Sequence, residues 1–128
     1  MKMSLIMVFL MFSLSALAAF NEVECTGATP GKVITLEIEQ PFPADSAFKR
    51  GTLTITENGA DTTSNFTVST RVNGGFNEIR YWAGGLTLEV NFWPDQRPRW
   101  ARKYDSKLRS SDLGNETIKL TCEFPNAF

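Results

Sequence analysis

The residues best suited to ligand chemistry are concentrated between positions 81 and 109. This stretch holds all three tryptophans and both tyrosines of the chain, and its second half, 97–109, has six basic residues against Asp105 alone. Exposed tryptophan and arginine are typical of binding surfaces, because indole rings stack on sugars or bases and guanidinium groups form paired contacts with carboxylates or phosphates. The candidate ligand-binding residues are Trp93, Arg97, Arg99, Trp100, Arg102 and Tyr104.

Two interpretations of this stretch stay open. In one, the tryptophans lie on the surface and bind a ligand together with the arginines. In the other, the tryptophans cap one end of the core and the aliphatic stems of the arginines pack over them. Trp93 falls on the polar face of its predicted strand, and Trp100 lies in a basic loop next to prolines. We therefore expect at least one exposed tryptophan.

Catalysis is disfavoured because the chain has no histidine. That absence removes the commonest general base near neutral pH, every Ser-His-Asp triad and most catalytic zinc sites. Paired carboxylates could still act as acid and base, and Glu78, Glu89 and Asp95 lie in or near predicted strands, but their spacing indicates nothing specific. The sequence predicts a protein that is not an enzyme and that has no cofactor and no metal site.

The first 18 residues have the pattern of a secretory signal peptide. Lys2 precedes an apolar run over 5–14, and Ala16 and Ala18 supply the small residues that a signal peptidase requires. The apolar run is shorter than the roughly 20 residues that a membrane-spanning helix needs. We predict a signal peptide at 1–18, a single β domain at 19–128, and an exported, soluble protein that is periplasmic or extracellular and has no membrane span.

Cys25 and Cys122 are the only cysteines. Two thiols in an oxidising compartment normally pair, so we predict a disulfide between them. The bond closes a long loop, for which the chain-entropy model gives up to about 4.7 kcal/mol of stabilisation. A redox-active pair would need a Cys-x-x-Cys spacing, which the sequence lacks.

Apolar and polar residues alternate along most of the chain after residue 18, the pattern of half-buried strands. Turn residues separate the runs, as at Asn58-Gly59, Gly84-Gly85 and Gly114-Asn115. Positions 100–110 fit both a strand and an amphipathic helix, and the neighbouring strands favour a strand. The predicted fold is all-β: a small antiparallel β-barrel or β-sandwich of about seven or eight strands, with the disulfide joining the first and last strands inside. The clearest strand runs are 33–39, 52–56, 65–72, 86–93 and 117–124, and 40–49 is predicted to be a longer loop.

In outline the chain is similar to small exported barrels such as the periplasmic c-type lysozyme inhibitors. The similarity consists of a signal peptide, about 100 residues of predicted strands, and cysteines near both ends. The inhibitory motif of spaced Ser-Gly, Tyr and Trp-x-Lys-Gly is absent, as is the Gly-x-Trp opening of lipocalins. The resemblance therefore concerns architecture and assigns no residue a role.

These observations favour a small, exported, non-catalytic binding module. Its expected ligand is an envelope or extracellular glycan or another anionic polymer, bound through the Trp- and Arg-rich stretch. An alternative is an inhibitor or structural envelope protein that binds an exported protein, and a carboxylate-based enzyme is the least favoured class. The acidic and basic residues nearly balance, 14 against 13, so we expect no nucleic-acid partner.

Overall fold

The computed structural model describes residues 19–41 and 48–127. The predicted signal peptide at 1–18 and most of the predicted 40–49 loop lie outside the described residues. Within the described ranges, no helix is both long and apolar enough to cross a membrane. The strands are β1 (Ala19–Thr29), β2 (Lys32–Pro41), β3 (Phe48–Glu57), β4 (Ala60–Asn73), β5 (Glu78–Ala83), β6 (Leu86–Asn91), β7 (Lys103–Ser110) and β8 (Thr117–Glu123), with one-turn 3-10 helices at Gly74–Phe76 and Ser111–Leu113.

The eight strands form a closed antiparallel barrel in which each strand pairs with the next and β8 pairs with β1. The all-β prediction is confirmed, and the architecture is the barrel rather than the sandwich. Alternation explains the core, because side chains of one parity point inward from every strand and fill the interior. The largest fully buried side chains include Tyr81, Phe92, Ile34, Leu36, Leu88 and Leu108.

The ambiguous segment near residue 100 is a strand from Lys103 onward. Its burial alternates residue by residue, with Tyr104, Ser106 and Leu108 inside and their neighbours outside. Strands β6 and β8 pair with it on both sides and satisfy the hydrogen-bonding groups of its backbone. An isolated helix of this length would be only marginally stable. Tertiary pairing therefore decides between two periods that the local sequence fits equally well.

The disulfide closes the barrel at its shortest seam. Strands β1 and β8 share only three residue pairs, and Cys25 and Cys122 form the middle one. The Cys25–Cys122 bond is present as predicted, with both residues fully buried. The covalent link thus reinforces the seam that has the fewest backbone hydrogen bonds to hold it.

The barrel has two different ends. At one, which we call the turn end, tight connections at 30–31, 58–59, 84–85 and 111–116 join successive strands. Asn58 and Gly59 both have positive φ, 54° and 77°, as a type I′ hairpin requires. The opposite end, which we call the loop end, comprises residues 74–77, 92–102 and 124–127 together with the start of β1. The loop end carries most of the predicted binding residues.

Candidate functional site

The segment 92–102, which we call the long loop, joins β6 to β7 and is anchored at its start. Phe92 is fully buried, and its backbone N–H donates to the carbonyl of Asn77 at 2.8 Å. The side-chain amide of Asn77 in turn donates to the carbonyl of Asp95, whose own N–H donates to the Phe92 carbonyl at 2.8 Å. The first half of the long loop is therefore fastened to the connection between β4 and β5.

Asp95 joins the two halves of the long loop. Only 10% of its side chain is exposed, and its Oδ2 accepts a hydrogen bond from the hydroxyl of Tyr104 at 2.7 Å. Its Oδ1 lies 3.5 Å from a guanidinium nitrogen of Arg102 and 3.9 Å from Nε of Arg99. The hydrogen bond from Tyr104 to this charged acceptor is stronger than a neutral one and ties the loop to the start of β7. The two arginine contacts are ion pairs of exposed side chains, which contribute little to stability.

Tyr104 is a supporting residue of the long loop. It is 5% exposed, and its ring packs edge-on against Phe124 with centroids 5.9 Å apart. Its hydroxyl donates to Asp95 and accepts the backbone N–H of Arg99 at 2.9 Å. Burial and the bond to Asp95 raise the pKa of Tyr104 above its ordinary value. Of the six predicted site residues, Tyr104 alone is buried, and its position suits holding the loop rather than contacting a ligand directly.

The other five predicted residues lie on the outside of the long loop. Trp93 is 71% exposed and Trp100 is 67% exposed, which confirms the expectation of at least one exposed tryptophan. Arg97, Arg99 and Arg102 are exposed as well. Arg99 and Arg102 share Asp95, whereas Arg97 has no acidic partner among residues 19–41 and 48–127. The long loop therefore combines two exposed indoles with one guanidinium, that of Arg97, which forms no ion pair with the described residues.

The basic stretch 97–109 forms two surfaces rather than one. The arginines of the long loop lie at the loop end, whereas Lys107 and Arg109 lie on the outer wall of β7 toward the turn end. Because a strand rises about 3.4 Å per residue, Arg109 is roughly 20 Å along β7 from Lys103. Lys119 of β8 pairs directly with Lys107. A count of charge along the sequence could not separate these surfaces, since it ignores strand direction.

A polar cluster inside the barrel was not predicted. An irregularity in β1 pairing between Asn21 and Val23 places Glu22 in a β-bulge, which turns its carboxylate inward. Glu22 forms an ion pair with Lys49 and accepts a hydrogen bond from the hydroxyl of Tyr81, and the Lys49 ammonium lies 5.7 Å from the centroid of that ring. Burial and the charge of Glu22 raise the pKa of Tyr81 well above its ordinary value. A tyrosine at an inward position was the available signal, because a buried hydroxyl needs a partner.

A cavity of about 320 Å³ opens at the loop end beside this cluster; we call it the mouth cavity. Five apolar side chains form most of its described wall, and two charged side chains and one amide complete it. The apolar residues are Phe20, Ile79, Pro98, Phe124 and Ala127, the charged residues are Glu22 and Arg97, and the amide is that of Asn126. Arg97 thus borders both the outer surface of the long loop and the mouth cavity.

The carboxylates that could have formed a catalytic pair are engaged in ion pairs. Glu78 and Glu89 lie on the outer wall, where both contact Arg80, at 3.4 Å and 3.1 Å. Asp95 lies in the long loop, where its carboxylate accepts the hydrogen bond from Tyr104 and contacts Arg99 and Arg102. In the part of the chain that the structure describes, no group of three or more acidic or cysteine side chains is placed to hold a metal ion.

Comparisons of the chain with protein-family models, with curated proteins and with solved structures find no match.

Proposed function

We propose that this chain is an exported, non-catalytic binding protein whose loop end binds an anionic polymer, such as an envelope glycan that carries carboxylate or phosphate groups. The observation that supports this proposal most strongly is the exposure of Trp93 and Trp100 on a loop fixed by Asp95. Exposing two indoles to water stabilises nothing in the folded chain. A preformed loop that presents them loses little conformational entropy when a ligand binds.

The arginines give this surface its preference for negative charge. Arg97, Arg99 and Arg102 project from the same loop as the two tryptophans, and Asp95 neutralises part of their charge. Guanidinium groups bind carboxylate or phosphate through two parallel hydrogen bonds, and indoles stack on the faces of sugar rings. A charged polysaccharide offers both features in each repeat, so one surface can use stacking and ion pairing together.

The test is a salt titration of binding to dextran sulfate, with uncharged dextran as the reference ligand. Affinity for dextran sulfate should fall steeply as salt rises, because each neutralised anion releases counterions. The triple variant Arg97→Gln, Arg99→Gln, Arg102→Gln should bind about tenfold more weakly or worse, with a shallower dependence on salt.

The matched control removes the same charge from the other basic surface. The triple variant Lys107→Gln, Arg109→Gln, Lys119→Gln changes net charge equally but alters only the outer wall toward the turn end. The affinity of this variant should stay within about twofold of that of the unaltered chain, because dissolved salt screens the attraction between the ligand and basic residues far from the loop end. Equal losses in the two triple variants, or no binding by the unaltered chain, would contradict the proposal.

A protein partner is the second candidate. Phe76, in the connection 74–77, is 73% exposed, and Val72, near the end of β4, is 60% exposed. Asn77 links that connection to the long loop. Large exposed apolar side chains are common in protein interfaces. Substitution Phe76→Ser separates the candidates: it should leave affinity for dextran sulfate unchanged, whereas capture of a protein from envelope extract would depend on Phe76.

A further inference from the structure

We infer that the mouth cavity is a second binding site, which takes a small apolar molecule carrying a single anionic group such as a carboxylate. Among the described residues, neither Trp93 nor Trp100 lines this cavity, so the inference does not rest on polymer binding. The two sites share only Arg97, which borders both.

The walls of the mouth cavity select an apolar body. Phe20, Ile79, Pro98 and Phe124 come from four separate parts of the chain, the starts of β1 and β5, the long loop and the segment after β8. Binding sites for small molecules are typically concave, mainly apolar and from about 300 to 1,000 Å³, with a few polar groups that set orientation. The mouth cavity, at about 320 Å³, falls at the small end of that range.

The charges around the cavity select a single anion. Glu22 is the only acidic side chain in the described lining, and the ammonium of Lys49 neutralises it while the Tyr81 hydroxyl occupies its second oxygen. Arg97 has no such acidic partner among the described residues, unlike Arg99 and Arg102, which share Asp95. The local balance is therefore one positive charge. An anionic group paired with Arg97 completes it, and a cationic ligand would add to it.

The position of Arg97 suits an amphipathic ligand. Arg97 and Pro98 are adjacent in the chain and both contribute to the wall, so an exposed guanidinium lies at the edge of an apolar surface. A guanidinium binds a carboxylate through charge-assisted hydrogen bonds, which are stronger than hydrogen bonds between neutral groups. A carboxylate held by Arg97 can thus leave its hydrocarbon portion against Phe20, Ile79 and Phe124.

The experiment measures binding of three ligands with the same tail and different head groups: sodium octanoate, n-octanol and octylammonium. Isothermal titration and amide chemical-shift changes should both show saturable binding of octanoate. Octanol should bind about tenfold more weakly, and octylammonium more weakly still, because only octanoate supplies the anion. Shift changes should be largest around Phe20, Ile79 and Phe124.

Two arginine variants test the role assigned to Arg97. In Arg97→Gln, octanoate should lose its advantage over octanol, so that the two bind with similar affinity. Arg99→Gln is the matched control, because that guanidinium belongs to the Asp95 ion pairs and does not line the cavity, and it should keep the preference for octanoate. Phe20→Ala should weaken octanoate and octanol in the same proportion, because it removes apolar wall and no charge.

The results that would overturn the inference are equally specific. They are the absence of saturable octanoate binding, equal affinity for octanoate and octanol in the unaltered chain, or an undiminished preference in Arg97→Gln that retains its thermal unfolding midpoint. Trp100→Ala distinguishes this site from the polymer site, since it should lose affinity for dextran sulfate and keep its affinity for octanoate. Failure of one site therefore leaves the other testable.

Discussion

The turn end and the loop end are built on the same eight strands but differ in what they add to them. The turn end connects strands by short turns such as 58–59 and 84–85, where positive φ at glycine or asparagine lets the chain reverse within two residues. At the loop end, the connection between β6 and β7 is the whole segment 92–102, and this segment exposes Trp93, Trp100 and three arginines. Closing a barrel does not require those groups, and this difference is the reason that we propose the loop end as the binding surface.

The largest loss of stability should come from the barrel wall that both ends share, at the disulfide between β1 and β8. The double variant Cys25→Ala, Cys122→Ala removes the covalent link from a seam of only three residue pairs. The free energy of unfolding should fall by about 2 to 5 kcal/mol. Denaturant titration of the variant against the oxidised parent measures this loss. A midpoint equal to that of the parent would show that the seam holds without the bond.

A pair of aspartate substitutions compares the two ends directly. Asp95→Ala removes the acceptor of the buried Tyr104 hydroxyl at the loop end, which should cost about 1 to 3 kcal/mol of unfolding free energy. Asp61→Ala at the turn end loses only an exposed hydrogen bond from Thr56 and should change stability by about 0.5 kcal/mol or less. Equal costs in urea titrations would remove the special role assigned to Asp95.

Glycine substitutions give a smaller contrast. Gly59 has a φ of 77°, so Gly59→Ala should cost about 1 to 2 kcal/mol without altering affinity for dextran sulfate. Gly74 at the loop end has no positive φ and nothing within 4 Å of an added Cβ. Gly74→Ala should therefore be nearly neutral. Thermal unfolding of the two variants checks the contrast, which fails if Gly74→Ala is the more damaging change.

Alkaline pH should weaken the loop end by a still smaller amount. The pKa of Tyr104 is raised by burial and by Asp95, and that of Tyr81 by burial and by Glu22, so folding favours their protonated forms. The associated stability is complete below pH 10, the unfolded value, and is lost as pH rises toward the higher folded pKa values. Between pH 8 and 10.5 the loss should stay below about 1 kcal/mol per tyrosine. Tyr104→Phe should flatten the profile of urea midpoints, and an identical profile would contradict the assignment.

Much of the fold follows from residue alternation and turn chemistry. The period of two predicted β2, β3, β4, β6 and β8, and cysteines on the inward faces of the first and last strands predicted the bond between them. The sequence did not distinguish a barrel from a sandwich, because a barrel depends on pairing between β1 and β8. Strand β7 fitted a helix equally well by its own sequence, and its pairing with β6 and β8 makes it a strand. Strand β5 was not singled out, because the exposed Trp82 directly follows the buried Tyr81 and interrupts the alternation of apolar and polar residues.

The exposed residues of the candidate site could be predicted from the sequence, whereas the buried contacts that hold the site in place could not. The polar strand face at Trp93 and the prolines near Trp100 indicated that at least one of these two tryptophans would be exposed. The role of Asp95 depends on a contact with Tyr104 across a folded loop, and composition gives no indication of it. The inward turn of Glu22 depends on a β-bulge. The consecutive polar residues Asn21 and Glu22 interrupt the alternation there, but residue type alone does not indicate which of the two side chains turns inward.

The central claim is that the exposed tryptophans of the long loop bind a ligand rather than support the core. It is tested most directly by measuring dextran sulfate affinity and unfolding free energy together for Trp100→Ala and Trp82→Ala. Trp82 is the matched control, since it is 40% exposed on the outer wall of β5, away from the long loop. We predict that Trp100→Ala binds dextran sulfate about fivefold more weakly or worse at every salt concentration. Its unfolding free energy should change by no more than about 0.5 kcal/mol. Trp82→Ala should keep full affinity for dextran sulfate. A loss of about 3 to 5 kcal/mol in the stability of Trp100→Ala, or an affinity equal to that of Trp82→Ala, would contradict the account.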